Sequence, residues 1–252
     1  MAISDTYTFN PDIGEIVEEA YERAGLEMRS GYDLRTARRS LNFLTLEWQN
    51  RGINLWTVDS LMISEQSDGS ALTTNYLVKD VSGYSLDSST IAVLDMVLRV
   101  NDGTQATQVD YHMSRVSQST YAAIPNKLSR GMPLQYYLER RGILDTEAND
   151  DDRKDRINIW PAPDESSKYK ILYWRIKRIA DSGGSASETM EVPSRFMPAL
   201  VSGLAYHIAM KKPEAAGRVE LLKQVYEEEF MTAAGEDREK APVRFVPRMY
   251  RT

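Results

Sequence analysis

The chain has 252 residues, 42% of them apolar, and a formal net charge of −6 from 31 Lys and Arg against 37 Asp and Glu. That is enough chain for a real core in one large domain or two smaller ones, and its acidity excludes a whole-protein polycation. No run approaches the roughly 18 apolar residues of a bilayer span, and MAISDTYTFNP has no signal-peptide pattern, so cytoplasmic synthesis and no membrane partner are expected.

In chain order, Asn10 can cap a first helix and Pro11 suits its first position, where the missing N–H is an orphan donor anyway. Ile13, Ile16, Val17, Ala20, Tyr21 and Ala24 then recur at helical spacing, and Gly25 ends the run. A second helix starts near Tyr32, carries Leu34, Ala37, Leu41, Leu44 and Trp48 on one stripe, and stops at Gly52. From about 55 to 180 the pattern changes: Gly, Ser, Asn and Asp punctuate short runs rich in β-branched and aromatic residues. Strands are predicted at 56–63, 91–100, 107–113, 134–139, 156–160 and 169–179. The last two, separated by the Pro/Asp/Ser turn at 161–168, look like a hairpin, and Asn101, Asp102 and Gly103 supply another turn.

Residues 181–188, DSGGSASE, read as a flexible joint where proteolysis should cut first. Helical period returns at Pro193 or Ser194 with Phe196, Met197, Leu200, Val201, Leu204, Ala205 and Ile208, and Lys211, Lys212 and Pro213 close it. A fourth helix runs roughly over 214–234 on Leu222, Val225, Tyr226 and Phe230. The expected fold is therefore α+β. A helical bundle core combines an N-terminal part, 1–54, with a C-terminal part, 181–235; a β-rich domain is inserted at 55–180, and an extended tail follows at 236–252. Leu41, Leu44, Trp48, Leu200, Leu204, Leu222 and Tyr226 should pack together across that insertion.

Residue types with reactive chemistry are sparse. Zero Cys removes disulfides, thiolate metal sites and Cys nucleophiles, and the only two His, His112 and His207, exclude any three-imidazole site on one chain. Dinucleotide, P-loop, zincin and nucleophile-elbow motifs are all missing. Asp110 and His112 share a predicted strand face, but neighbours two apart are poorly placed for a Ser–His–Asp relay, and a solvated strand face is the simpler reading. His207 reads as a core or interface histidine within an apolar helix. The acids Asp145, Glu147, Asp150, Asp151, Asp152 and Asp155 lack the glycine and distal glutamate of a calcium loop, so a solvated loop without metal is expected. Paired carboxylates of a glycosidase stay open as an alternative, since 37 acids always offer pairs.

Arginine supplies most of the cations. Arg35, Arg38 and Arg39 fall on one face of the second helix, where a guanidinium fork suits interface carboxylates, with a solvated face as the plainer reading. Lys168, Lys170, Arg175, Lys177 and Arg178 alternate with Tyr169, Tyr173 and Trp174. That mixture leaves a nucleic-acid-binding module as a further alternative beside an amphipathic strand.

The block FNPDIGEIVEEAYERAGLEMRSGYDLRTARRSLNFLTLEWQNRGINLW carries a helix ending in Ala24 and Gly25, then Leu41, Asn42, Leu44, Trp48 and Gly52, then Leu55 and Trp56. It resembles the opening of tailed-bacteriophage head-to-tail adaptor proteins, the tail accessory factors of podoviruses. YAAIPNKLSRGMPLQYYLERR and INIWPAPDESSKYKILYWRIKRIAD resemble phage virion proteins, and VPSRFMPALVSGLAYHIAMK resembles the family's third helix. The resemblance implies a virion structural protein at the head–tail junction, not an enzyme, with no cofactor and no metal. Its members form a homo-oligomeric ring, usually of twelve subunits, between the portal protein and the tail nozzle or tail tube. DNA passes through the channel without specific binding.

The resemblance also implies a C-terminal extension that grips the portal. Here that role falls to Arg244, Phe245, Arg248, Met249, Tyr250 and Arg251, three arginine forks and apolar anchors in a stretch that Pro242 and Pro247 keep from being a continuous helix. Arg35, Arg38 and Arg39 would then belong to the subunit interface. The departure from small adaptors is the insertion of about 125 residues between the second and third helices.

Overall fold

The computed structural model describes residues 9–52, 55–141, 154–183, 185 and 187–237. The chain is α+β, with five α-helices and several sheets among the described residues. It divides into two compact units: one takes the residues up to Trp56 together with those from Ile179 onward, and the other is Thr57–Arg178.

The first unit contains α1 (Ile13–Ala24), α2 (Gly31–Asn50), α4 (Met197–Ala209) and α5 (Val219–Glu236). Asp12, not Asn10, caps α1. Its carboxylate accepts from Glu15 N at 2.8 Å while Glu15 accepts from Asp12 N at 3.1 Å, so two orphan donors are satisfied reciprocally, which Asn10 and Pro11 could not do. Gly25 closes α1 at φ +74°, a left-handed conformation open to glycine, and its N–H donates back to Glu22 and Tyr21 carbonyls. Ser30 caps α2. The later helices both begin as tight turns, Ser194–Phe196 before α4 and Pro213–Arg218 before α5.

One buried cluster joins the four helices. Leu41, Leu44, Trp48, Leu200, Leu204, Leu222 and Tyr226 all lie in it, together with the α1 stripe from Ile13 to Ala24 and with Phe196 and Phe230. Gly203 lets α4 approach closely: a Cβ there would stand 2.9 Å from the Tyr226 ring and 3.0 Å from both Leu44 methyls. The segment expected as a free joint starts anchored. Ser182 donates through N and Oγ to Asn42 Oδ1 at 2.8 and 2.7 Å, and Ile13 N donates to Glu188 O at 2.9 Å.

The second unit is two four-stranded sheets closing on one core. The first has the order β1 (Val58–Met62), β10 (Tyr169–Lys177), β3 (Thr90–Val100), β4 (Val109–His112). The second has the order β2 (Gly83–Ser85), β8 (Arg156–Trp160), β7 (Gln135–Glu139), β5 (Ser114–Val116). Strict alternation builds the core: β8 buries Ile157 and Ile159, and β10 buries Tyr169, Ile171 and Tyr173 against them. A short parallel pair, β6 (Arg130–Gly131) with β9 (Ala162–Pro163), and the single-turn α3 (Gln118–Ala122) complete the unit.

The expected hairpin of residues 156–160 with 169–179 does not form. β10 pairs along nearly its whole length with β3 and on its other side with β1, while β8 lies between β7 and β2 in the opposite sheet. A nine-residue strand finds a full ladder on eleven-residue β3 that five-residue β8 could not supply. The Asn101–Gly103 turn does join β3 to antiparallel β4, with φ +55° at Asn101 and +84° at Gly103.

Candidate interaction surfaces

On α2 the inward stripe fixes what faces out. Trp48 Nε1 donates to Tyr226 Oη at 3.0 Å, and Tyr226 Oη donates to Glu47 at 3.2 Å; burial holds the Tyr226 phenol well above its ordinary pKa. Arg51 clamps Glu227 with two 2.8 Å bonds and lies over the Phe230 ring at 4.5 Å, pinning the end of α2 to α5. At the other end Lys212 Nζ donates to Asp33 Oδ1 at 2.9 Å, and that bond, ahead of Ser30 and Arg29, keeps the Asp33 carboxyl below its ordinary pKa.

With α2 held so, the three arginines divide. Arg35 and Arg39 are exposed and make no hydrogen bond or ion pair among the described residues. Arg38 is half-buried and turns back on its own chain, where its guanidinium donates to the Gly183 carbonyl. One helical step therefore moves Arg38 out of the group that spacing assigned it to. Tyr32 and Phe43, 63% and 59% exposed, sit on the same outward stripe as Arg35 and Arg39. They lie off the apolar face of α2, which is the signal that marks them in the sequence. Arg244, Phe245, Arg248, Met249, Tyr250 and Arg251 lie outside the described residues.

A groove of about 500 Å³ runs between α1 and the start of α4. Ile16, Met197, Val201 and Phe9 give it an apolar lining, and Glu15, Glu18, Glu19 and Glu22 line it together with Arg23. Glu19 is bound to Arg23 at 2.9 Å and Glu15 to the helix cap, whereas Glu18 and Glu22 have no cation partner among the described residues.

The strand unit treats its charges differently. Arg99 grips Asp110 through two bonds at 2.8 and 2.9 Å, and His112 Nε2 lies 3.0 Å from Asp95, so Asp110 and His112 serve separate partners on one strand face. Arg175 is buried and donates to Asp59 and Asp87, each at 2.7 Å, and to Ser89 and Thr90. Burial would raise the Asp87 pKa, but the bonds from Ser89 and Arg175 outweigh it and bring it down to about 2. Lys170 is bound to Asp102 at 2.7 Å and Lys168 to Glu165 at 3.2 Å, while Tyr169 and Tyr173 point into the core. Of the cations interleaved with aromatics here, Lys168, Lys170 and Arg175 are thus paired within the fold.

His207 is half-buried, its Nε2 3.7 Å from Glu47, and burial lowers its pKa ahead of the opposing pull of that carboxylate. Asp155 accepts from Arg141 N at 3.0 Å, and the other acids of its cluster lie outside the described residues. Among the described residues no group of three His, Asp or Glu could hold a metal ion, and no helix is long and apolar enough to cross a membrane.

These surfaces suit recognition of other proteins: exposed aromatic and arginine side chains on a rigid helix, and a grooved acidic wall. The chain matches the SU10 adaptor protein family over residues 13–248, through both helical parts and the strand-rich middle. It belongs to that family, one of phage head-to-tail adaptors, and so to the structural proteins of the virion. No curated protein matches the chain.

Proposed function

We propose that this protein is the connector between portal and tail, assembled as a ring, of twelve copies in the reading the resemblance implies, around the channel through which DNA leaves the head. The observation that carries the reading is the family match across both helical parts and the middle. The helical bundle formed by the two ends of the chain is the ring-forming body in this reading, with residues 55–180 as a domain inserted in it. Arg35 and Arg39 belong to the subunit interface, and the C-terminal residues Arg244 to Arg251 bind the portal. An acidic chain supports the channel role, because a wall that releases no counterions from DNA does not retain it. No catalytic step, cofactor or metal enters this function. Native mass measurement of the full chain, alone and mixed with its portal, tests it: a defined ring on the portal is expected, and a chain that stays monomeric in both samples overturns it.

A further inference from the structure

Two surfaces of the helical unit complement each other. On α2, Arg35 and Arg39 are exposed, four residues apart and without an ion-pair partner among the described residues, and Tyr32 and Phe43 flank them on the same stripe. On α1, Glu18 and Glu22 are also exposed, four residues apart and without a cation partner among the described residues, beside the apolar-floored groove of about 500 Å³. Four residues of helix rise about 6 Å, so the two guanidinium groups and the two carboxylates repeat at one spacing. One helix cannot meet the other in this way within a chain, because α1 and α2 are each packed inward on the shared core by their opposite faces.

We infer that the outward stripe of α2 on one copy of this chain docks on the α1–α4 groove of the next copy, Arg35 and Arg39 facing Glu18 and Glu22 while Phe43 or Tyr32 enters the groove. The occupant of the groove is a second copy because exposed cations and exposed carboxylates at one helical spacing, an aromatic knob and an apolar recess all occur on one chain. Arg forks on carboxylates give the contact direction as well as charge. It joins two different surfaces, so it leaves one of each open at every step and propagates head to tail, closing only as a ring. The inference rests on the ring reading and adds the faces that build it.

Charge exchange tests it on the full-length protein, alone and with portal, at low and high salt. Arg35→Glu with Arg39→Glu makes both faces acidic, and Glu18→Arg with Glu22→Arg makes both basic. Each double variant is expected to need at least about tenfold more protein for half-assembly, since like charges then meet across the contact. Mixing the two variants one to one, or combining all four substitutions in one chain, is expected to restore assembly, because opposite charges face each other again. High salt should narrow the difference between the variants and the parent chain.

Circular dichroism reports whether each variant is folded; where one is not, Phe43→Ala, which changes no charge, is expected to weaken assembly in its place. Double variants that are folded and assemble like the parent overturn the inference, as does a mixture that stays apart. Assembly that is lost on removing residues 241–252 yet ignores the four charges would give the groove to the C-terminal segment instead. A parent chain that never assembles, even with portal, removes the ring reading and this contact with it.

Discussion

The two units use charge differently. In the strand unit the central cations are neutralised within the fold: Arg99 by Asp110, Lys170 by Asp102, Lys154 by Glu65, and buried Arg175 by Asp59 and Asp87. The helical unit pairs Arg51 with Glu227 and Lys212 with Asp33 at its edges, but its core is held by apolar stripes and aromatic contacts, and Arg35, Arg39, Glu18 and Glu22 face outward without ion-pair partners among the described residues. A charge already bound inside its own fold has little left to offer another protein. The helical unit is therefore where assembly contacts are to be sought, while the strand unit adds to its apolar core internal ion pairs whose Asp87, Asp102 and Asp110 carboxyls are held below their ordinary pKa.

The largest expected effect separates the units by packing. Leu200 and Leu41 are fully buried in the helical core. Leu200→Ala or Leu41→Ala should cost roughly 2–5 kcal/mol, from lost transfer energy plus the cavity left behind. Denaturant unfolding followed by near-UV signal from Trp48 would measure it. A cost near zero would mean that both ends of the chain do not depend on one core.

The helical core is also the part of the fold that sequence reading reaches best, for a physical reason. Stripes of five or six apolar residues at helical spacing occur on α1, α2 and α4, and an amphipathic helix has one way to bury such a stripe. The longer strands were legible by alternation, and β8 was found with its observed ends. Strands β2, β5, β6 and β9, of two or three residues, are too short for any period to register. The hairpin misassignment has another cause: adjacency in sequence says nothing about which of two sheets a strand enters when both bury apolar residues on one core.

At the interaction surfaces, spacing puts Arg35 and Arg39 on one stripe but cannot show that Arg38, one step round, meets the Gly183 carbonyl. That carbonyl is 145 residues away. The acidic groove was missed because it needs α1 beside α4, a tertiary fact, although the spacing of Glu15, Glu18 and Glu22 off the apolar stripe was there to read.

The second effect belongs to the strand unit. Arg175→Met should destabilise it by about 1–3 kcal/mol, the cost of leaving hydrogen-bonding groups without their partner, with screening of the half-exposed Asp59 and Asp87 pulling toward the lower end. It should also change the response to acid. Asp87 has its folded pKa depressed from 3.8 to about 2, so its contribution is complete above the ordinary carboxylate range and is lost as pH falls through about 2. Thermal melts between pH 5 and 2 should show the parent chain losing stability in that window. The Arg175→Met chain should show a flatter slope, because Asp87 without its guanidinium no longer differs so much between folded and unfolded states. Parallel slopes for the two chains would place the acid sensitivity elsewhere.

A smaller change probes how tightly the helical unit is closed. Gly203→Ala adds one carbon where the Tyr226 ring and both Leu44 methyls already stand at 2.9–3.0 Å. Ala favours helix over Gly by about 1 kcal/mol, and overpacking costs typically 1–3 kcal/mol, so a net loss of about 1 kcal/mol is expected. A higher melting temperature for Gly203→Ala would show that Leu44 and Tyr226 can give way and that α4 is less tightly held than its contacts imply.

The smallest effect on stability should come with a large effect on assembly. Residues 241–252 carry Arg244, Arg248 and Arg251 with no acidic side chain, and Phe245, Val246, Met249 and Tyr250 between them. They follow α5, whose C-cap Asp237 is paired with Arg195, so the end of that helix keeps its own anchor when they are removed. Melting temperature should then stay within experimental error of the parent chain. Portal attachment should weaken, because the arginine forks and apolar anchors proposed to grip the portal are gone while the α1 and α2 faces proposed to join neighbouring copies remain. The expected outcome is a folded subunit that still associates with itself but binds portal with lower affinity, measured by co-sedimentation over a range of portal concentrations. Undiminished portal affinity in the truncated chain would transfer the docking role to the helical unit itself, and a large fall in melting temperature would show instead that the segment is part of that unit's own core.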